Sequence, residues 1–255
     1  MNKVVSEKEW VEARKALLEQ EKAFTKQRDE LSRSVREMPW RLIEKDYKFQ
    51  GLDGGSVSLA DLFGENSQLL IYHFMYGPDW KDGCQSCSYI ADHYNSALVH
   101  LAQRDISLVT VSRAPIDTLE KFRQRMGWNF LWVSSLESDF NYDFQASFTD
   151  EEIKGKKGLY NYKESEFPVS EAPGLSVFHR SDDGKIYHTY STYARGLDRF
   201  IGSYHLIDIV PKGRDETELP YPMAWVRHHD RYGDETFVDP YLAEPDTKND
   251  SCCST

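Results

Sequence analysis

The sequence predicts a small α/β sandwich with an N-terminal helical arm, an inserted loop region and an acidic C-terminal tail. Three observations carry that reading. Residues 68–75 and 106–112 are short, mostly apolar runs, as expected of strands covered on both faces. Each run leads into a helical segment, one opening at Cys84 and the other after Pro115. A strand pair and a last helix then close the chain, and parallel strands joined by right-handed helical crossovers make a layered sandwich the economical solution.

Taken in order, residues 6–37 read as one long surface helix. Ser6 and Glu9 have capping-box spacing, and Pro39 stops the helix at about Met38. Trp10, Leu17, Phe24 and Leu31 recur every seven residues, so a narrow seam should pack on the chain's own domain or on a second copy. Alternation at 47–49 and 57–59 around Asp53-Gly54-Gly55 predicts a hairpin. After the run at 68–75, Gly77-Pro78 breaks the strand, and a loop delivers Cys84 and Cys87 to a helix reaching about Gln103. The run at 106–112 and a helix from Pro115 to Met126 follow. Residues 127–172, rich in aromatics and then in Gly, Lys and Glu, read as an insertion. Residues 174–178 and 185–190 flank Asp182-Asp183-Gly184 as a second hairpin, and a helix over about 194–207 closes the fold. The domain division expected is therefore an arm at 1–45, a domain at 46–210 and a partly disordered acidic tail at 211–255.

Composition narrows the function. The 255 residues hold 31 Lys and Arg against 42 Asp and Glu, a net charge of −11. That balance opposes non-specific binding to nucleic acid or to anionic membranes, which need a positive footprint. No run approaches the roughly 18 apolar residues of a membrane span. The charged start lacks an apolar leader core, so a soluble cytoplasmic protein is expected. No Gly-rich phosphate loop or dinucleotide fingerprint appears, and no organic cofactor is implied.

The four cysteines fall into two local pairs, Cys84 with Cys87 and Cys252 with Cys253. In a reducing compartment a lone C-x-x-C signals redox chemistry or metal more often than architecture. At the start of a helix the exposed amides stabilise a thiolate, so the Cys84 pKa is expected below the free-thiol value of about 8.5. Cys87, one turn on and on the same face, can close a disulfide with it. One accessible nucleophile and one sheltered resolving thiol are what dithiol exchange requires. Half of a zinc site is the competing reading, although no second C-x-x-C or paired histidine follows. Two inert cysteines are the third.

Longer stretches carry a resemblance. Trp10-Val-Glu-Ala-Arg-Lys-Ala-Leu-Leu18, Tyr72-His-Phe-Met-Tyr-Gly-Pro-Asp-Trp80 and Cys84-Gln-Ser-Cys-Ser88 closely resemble a thioredoxin-like family catalogued as domain of unknown function 899. So do Val111-Ser-Arg-Ala-Pro115, Arg125-Met-Gly-Trp128, Trp132-Val-Ser-Ser135, His188-Thr-Tyr-Ser-Thr-Tyr-Ala-Arg-Gly196 and Pro211-Lys-Gly-Arg-Asp-Glu216. The resemblance spans about residues 6–230 and implies a thioredoxin-like fold and dithiol-disulfide oxidoreductase activity. It also implies a cis proline at Pro173, facing the cysteines and helping to hold an extended substrate. The sequence departs from ordinary thioredoxins in placing Trp80 four residues before Cys84 and Gln85-Ser86 between the cysteines. The peroxiredoxin Thr is also missing, since Lys81 lies three residues before Cys84. A dedicated small-substrate enzyme is thus expected rather than a general protein-disulfide reductase.

Several residues are candidates for supporting roles. Aligning Tyr72-His-Phe-Met75 with the thioredoxin pattern puts His73 where those proteins carry a buried acid, so His73 is a candidate proton relay to Cys87. With Cys84 and Cys87, His73 or His93 could instead complete a copper or zinc site. Arg113 follows a buried strand at the carboxyl edge, where α/β proteins hold ligands, and could grip a carboxylate or peroxide. Arg195 is a similar case. Trp80 shares the Cys loop and is a candidate pocket wall, whereas Trp128 and Trp132 read as core. Cys252-Cys253-Ser254-Thr255 is a poor prenylation signal and reads as a tail or a mobile shuttle pair. The expected partners are a small or protein disulfide or peroxide, an external thiol donor, and a second copy through the arm. The alternatives are metal handling through Cys84, Cys87 and a histidine, and a non-catalytic binding module of the same fold.

Overall fold

The computed structural model describes residues 2–52 and 54–233. They fall into two compact units, divided after Arg41. The first contains α1 (Glu7–Arg36), and its capping box is formed: the Ser6 hydroxyl accepts from the Glu9 amide while the Glu9 carboxylate accepts from the Ser6 amide. Acidic residues occupy its first turn and basic residues its last, which complements the helix dipole. A lone helix cannot cover its own apolar seam, and no residue of α1 is buried.

A two-residue strand, β1 (Arg41–Leu42), straddles the division. The second unit then contributes β2 (Lys48–Gln50), β3 (Ser56–Ser58), β4 (Gln68–His73), α2 (Gln85–Asn95), α3 (Leu98–Ala102), β5 (Ile106–Ser112) and α4 (Ile116–Arg125). After them come β6 (Leu131–Ser134), α5 (Phe140–Asp143), α6 (Asp150–Gly155), β7 (Gly158–Tyr160), β8 (Lys163–Ser165), β9 (Gly174–Arg180), β10 (Ile186–Tyr193), a 3-10 turn (Ala194–Phe200) and α7 (Gly202–Ile207). Within this unit the main sheet runs β10–β9–β4–β5–β6–β2–β3. β4, β5 and β6 are mutually parallel, while β9 joins β4 antiparallel and pairs with β10 as a hairpin. This is a thioredoxin-like fold, with the cysteine helix springing from the central strand β4.

Both faces of β4 are covered, as its apolar run requires. Leu69 and Ile71 pack with Val109, Val111, Val133, Phe140 and Phe178 on one face. Tyr72 and Phe74 pack with Cys84, Cys87, Leu119, Phe122 and Trp132 on the other. Aromatic rings dominate this second layer, with Phe74 4.7 Å from Trp132 between ring centroids.

Four expectations are corrected. The stretch 127–172 is not all insertion, because β6 pairs in parallel with β5 and buries Trp132 and Val133 inside the sheet. The helix expected to reach Gln103 ends at Asn95, and α3 starts separately after Ala97. The closing helix is a 3-10 turn followed by α7, broken at Ile201, whose side chain is buried with Leu197 in the core. Residues 211–233 are not a solvated tail: Val226 and His228 are 1% exposed, and Met223 and Trp225 pack against the cysteine-side core. The rest of the tail, with Cys252 and Cys253, lies outside the described residues.

Candidate functional site

The site is built where β4 runs out into the loop before α2. Met75 continues the strand, and its carbonyl accepts from the Cys84 amide at 3.1 Å, fastening the loop to the sheet. Gly83 is required at the approach, since a Cβ there would lie 2.8 Å from the Phe74 ring and 3.1 Å from the Phe122 ring. Cys84 is the N-cap of α2, and its sulfur accepts from the Cys87 amide at 3.4 Å. The Ser88 hydroxyl donates to the Cys84 carbonyl at 2.9 Å and completes the cap. Both residues carry thiols, not a shared disulfide, and both are buried.

The two sulfurs differ in environment. Cys84 occupies the amide-rich end of α2, the kind of position that favours a thiolate. Burial pushes the Cys87 thiol well above its ordinary value, the neighbouring Cys84 adds to that shift, and the nearby Tyr72 hydroxyl opposes it. The Tyr72 hydroxyl is buried without a hydrogen-bond partner, and burial followed by the nearby Cys87 raises its own pKa. Tyr72 is thus the polar group beside Cys87.

Residues 211–233 strap this loop in place. The His228 Nε2–H donates to the Gly83 carbonyl at 2.8 Å, while its Nδ1 accepts from Arg125 at 2.7 Å, which fixes the neutral tautomer. Burial holds the His228 pKa below the ordinary histidine value. Asp82 lies between Arg125 at 2.8 Å and Arg231 at 2.9 Å. Both residues preceding Cys84 are therefore held from the C-terminal side.

A cavity of about 640 Å³ opens over the cysteines. Its wall includes Met75, Ile90, Phe167, Val169, Leu197 and Met223, and its charged rim includes Arg195, Asp198, Arg214 and Glu216. Arg214 is held by Asp208 at 2.8 Å and Asp198 at 3.0 Å, with its guanidinium 3.7 Å above the Tyr204 ring. Glu216 accepts from Tyr204, the Met223 amide and Trp225 at 2.7–3.0 Å, tying the strap to α7.

Of the residues singled out from sequence, Cys84, Cys87, Pro173 and Arg195 share this cavity. Arg195 is 83% exposed and contacts Asp198 at 3.0 Å. Pro173 lines the same cavity as the cysteines, but no cis peptide bond occurs among the described residues, so the cis proline that the resemblance implies is corrected to trans. His73 is corrected to the opposite face of the sheet, because side chains alternate along β4. It stacks on Phe140 at 5.6 Å and its Nε2 hydrogen-bonds Ser176 at 2.9 Å. Burial drives its pKa down to about 3, against a smaller pull from Asn141.

His93 is likewise apart from the thiols. Its Nδ1 meets the Tyr89 carbonyl at 2.6 Å and its Nε2 accepts from the Ser203 amide at 3.1 Å, so neither nitrogen is available to a metal. Among the described residues no three His, Cys, Asp or Glu side chains form a metal-binding group. Trp80 packs over Gly77, where a Cβ would come within 2.6 Å of the indole nitrogen, and does not line the cavity. Arg113 makes a buried ion pair with Glu171 at 3.1 Å and lies 4.6 Å over the Tyr142 ring. Burial raises Glu171 to about 7, opposed by the Ser147 hydroxyl and Arg113. Tyr72, His228 and the Tyr204–Glu216 pair went unnoticed in the sequence, although Pro211-Lys-Gly-Arg-Asp-Glu216 was one of the stretches carrying the resemblance.

No helix among the described residues is long and apolar enough to cross a membrane. No curated protein matches the sequence. Among solved structures, the chain is similar to the peroxidoxin BcpB from Mycobacterium tuberculosis, with 13% identity and a TM-score of 0.45 over 67% of this chain and 97% of that one. It is also similar to peroxiredoxin Q from Xanthomonas campestris, with 14% identity and a TM-score of 0.45 over 65% of this chain and 95% of that one. The match to a family is far more extensive, covering residues 1–232. This chain belongs to the family described as bacterial protein of unknown function (DUF899).

Proposed function

We propose that this chain is a dithiol-disulfide oxidoreductase acting through Cys84 and Cys87 on a small disulfide or peroxide. The observation that supports the reading is the asymmetry of the two thiols at the floor of a cavity. Cys84 caps α2 where a thiolate is favoured, and Cys87 is kept protonated by burial. Cys84 attacks the substrate as a thiolate. Cys87 then gives up its proton and attacks the Cys84 sulfur, closing the disulfide between them. Tyr72 stabilises the Cys87 thiolate as it forms, whereas His73, the expected proton relay, lies on the other face of the sheet. An external thiol of the reducing cytoplasm returns the pair to the dithiol.

Pro173 shapes the wall opposite the sulfurs, and Arg195 stands at the rim. Arg113 acts at a distance, positioning the loop before Pro173 through Glu171. Trp80 steadies the cysteine loop through Gly77.

Single-cysteine variants treated with 5,5′-dithiobis(2-nitrobenzoate) test the assignment, with peptide mass spectrometry scoring Cys252 and Cys253 separately. Cys87→Ser is expected to accumulate a mixed disulfide at Cys84. Cys84→Ser is expected to react at Cys87 at least about tenfold more slowly, because Cys87 lies inside the first turn of α2 with its pKa raised, away from the cap position that favours a thiolate. Equal rates at the two positions would contradict the division of labour.

A further inference from the structure

We infer that the cavity takes a small, mainly apolar disulfide and excludes polypeptides. The inference rests on the dithiol reading above and narrows its substrate. An extended polypeptide binds beside such a site by pairing with exposed backbone, and the backbone leading to Pro173 is already paired. Phe148 donates to the Ser170 carbonyl at 2.8 Å, and Ala172 donates to the Ala146 carbonyl at 2.9 Å. Pro173 has no N–H to offer, and its carbonyl accepts from Tyr160 at 2.8 Å. The Ser147 hydroxyl donates to Glu171 at 2.6 Å, and Arg113 holds the same carboxylate. The segment 146–148 that pairs with the backbone before Pro173 is therefore pinned from the buried side through Glu171.

What remains open to a ligand is apolar. Ile90, Phe167, Val169, Leu197 and Met223 form most of the surface a molecule would meet above Cys84. A volume of about 640 Å³ suits a small molecule, not a folded partner. The charged rim is internally compensated, with Arg214 shared by two aspartates and the Glu216 carboxylate engaged three times.

The wall also selects the bond broken. Among the described lining residues there is no histidine or lysine, Tyr204 is committed to Glu216, Arg195 and Arg214 to aspartates, and burial holds the Cys87 proton, which leaves the Ser86 hydroxyl as the other neutral donor. A peroxide expels an alkoxide or hydroxide, a strong base that gains much from an acidic proton donor, whereas a disulfide expels a thiolate of pKa near 8.5 that gains little, so this wall favours the disulfide. The Cys84 thiolate attacks one sulfur of R–S–S–R, forming the Cys84–S–S–R bond and releasing RS⁻. Cys87 gives up its proton to solvent and displaces the second RS group from Cys84, and the two released thiolates take up protons from solvent to leave as RSH. The substrate is reduced by two electrons to two thiols, and the protein dithiol is oxidised to one disulfide.

Single-turnover oxidation of the reduced full-length protein by dibutyl disulfide, bis(2-hydroxyethyl) disulfide, hydrogen peroxide and insulin tests this, with the Cys84–Cys87 disulfide read by alkylation and mass spectrometry. Dibutyl disulfide is expected to saturate and to react at least about tenfold faster than the hydroxyethyl analogue at equal concentration, since the two differ in the apolar area they bury. Val169→Asp is expected to abolish that saturation. Equal rates with the two small disulfides, or faster oxidation by insulin or hydrogen peroxide, would overturn the inference while leaving the dithiol reading intact. A pair that no oxidant converts to a disulfide would end both.

Discussion

Replacing Tyr72 by Phe removes a hydroxyl whose polar neighbour is the Cys87 sulfur. A hydrogen bond to a charged group contributes about 1.5–3 kcal/mol, so closure of the disulfide should slow by about tenfold or more. Its pH profile should also move to the alkaline side, because the Cys87 thiolate loses a stabilising donor. Quenched alkylation of the mixed disulfide measures both, and an unshifted profile would reduce Tyr72 to packing. At Glu171 the sign of the pH dependence needs care. Its folded pKa, about 7, lies above the ordinary carboxylate value. The folded state therefore binds the extra proton between about 4.5 and 7, and the stability from that group falls as pH rises through this window. His73 acts oppositely: its pKa is lowered to about 3, so its contribution is full above about 6.5 and is lost as pH falls. The informative measurement is thus the difference in melting temperature between Glu171→Gln and the natural protein. That difference should move in favour of Glu171→Gln as pH rises from 5 to 7, by the equivalent of on the order of 2 kcal/mol. A pH-independent difference would show that Arg113 keeps Glu171 ionised throughout.

Among the elements, the strap at 211–233 decides how firmly the cysteine loop is held. His228→Ala frees the Gly83 carbonyl and removes a partner of Arg125. Leaving that buried carbonyl without a donor should cost about 1–3 kcal/mol. Amide exchange at residues 82–87 should accelerate, while exchange in β5, held by its pairing with β4 and β6, should not; protection unchanged at 82–87 would show that the strap merely covers the loop. Acidic composition hid this strap in the sequence, because counting charges does not reveal that Glu216 and Asp230 already have partners. β4 and β5 were legible because a strand buried on both faces must be apolar throughout. That same property concealed which of Tyr72 and His73 faces the thiols, since a strand covered on both sides loses the alternation that reports its orientation. β6 was missed for a different reason: four residues amid aromatics resemble a core-filling loop as much as a strand. The closing helix was recognised as helical but not as broken at Ile201, which turns inward to the core.

For the whole molecule, the order of the sheet brings together residues far apart in the chain. Cys84 follows the central strand, Pro173 precedes its antiparallel neighbour β9, and Arg195 follows the β9–β10 hairpin, so all three meet at one cavity. That convergence was foreseeable once the cysteine helix and the late proline were placed on a thioredoxin-like plan. The closing of the backbone before Pro173 by residues 146–148 was not, because it depends on contacts within a stretch without clear periodicity. The central claim is that Cys84 and Cys87 cycle between dithiol and disulfide. Equilibration of the full-length protein in dithiothreitol buffers of graded poise, followed by alkylation and peptide mass spectrometry, tests it most directly. A reversible Cys84–Cys87 disulfide with a midpoint between about −120 and −300 mV is expected, as for working oxidoreductases. Two thiols that alkylate freely at every poise would contradict it.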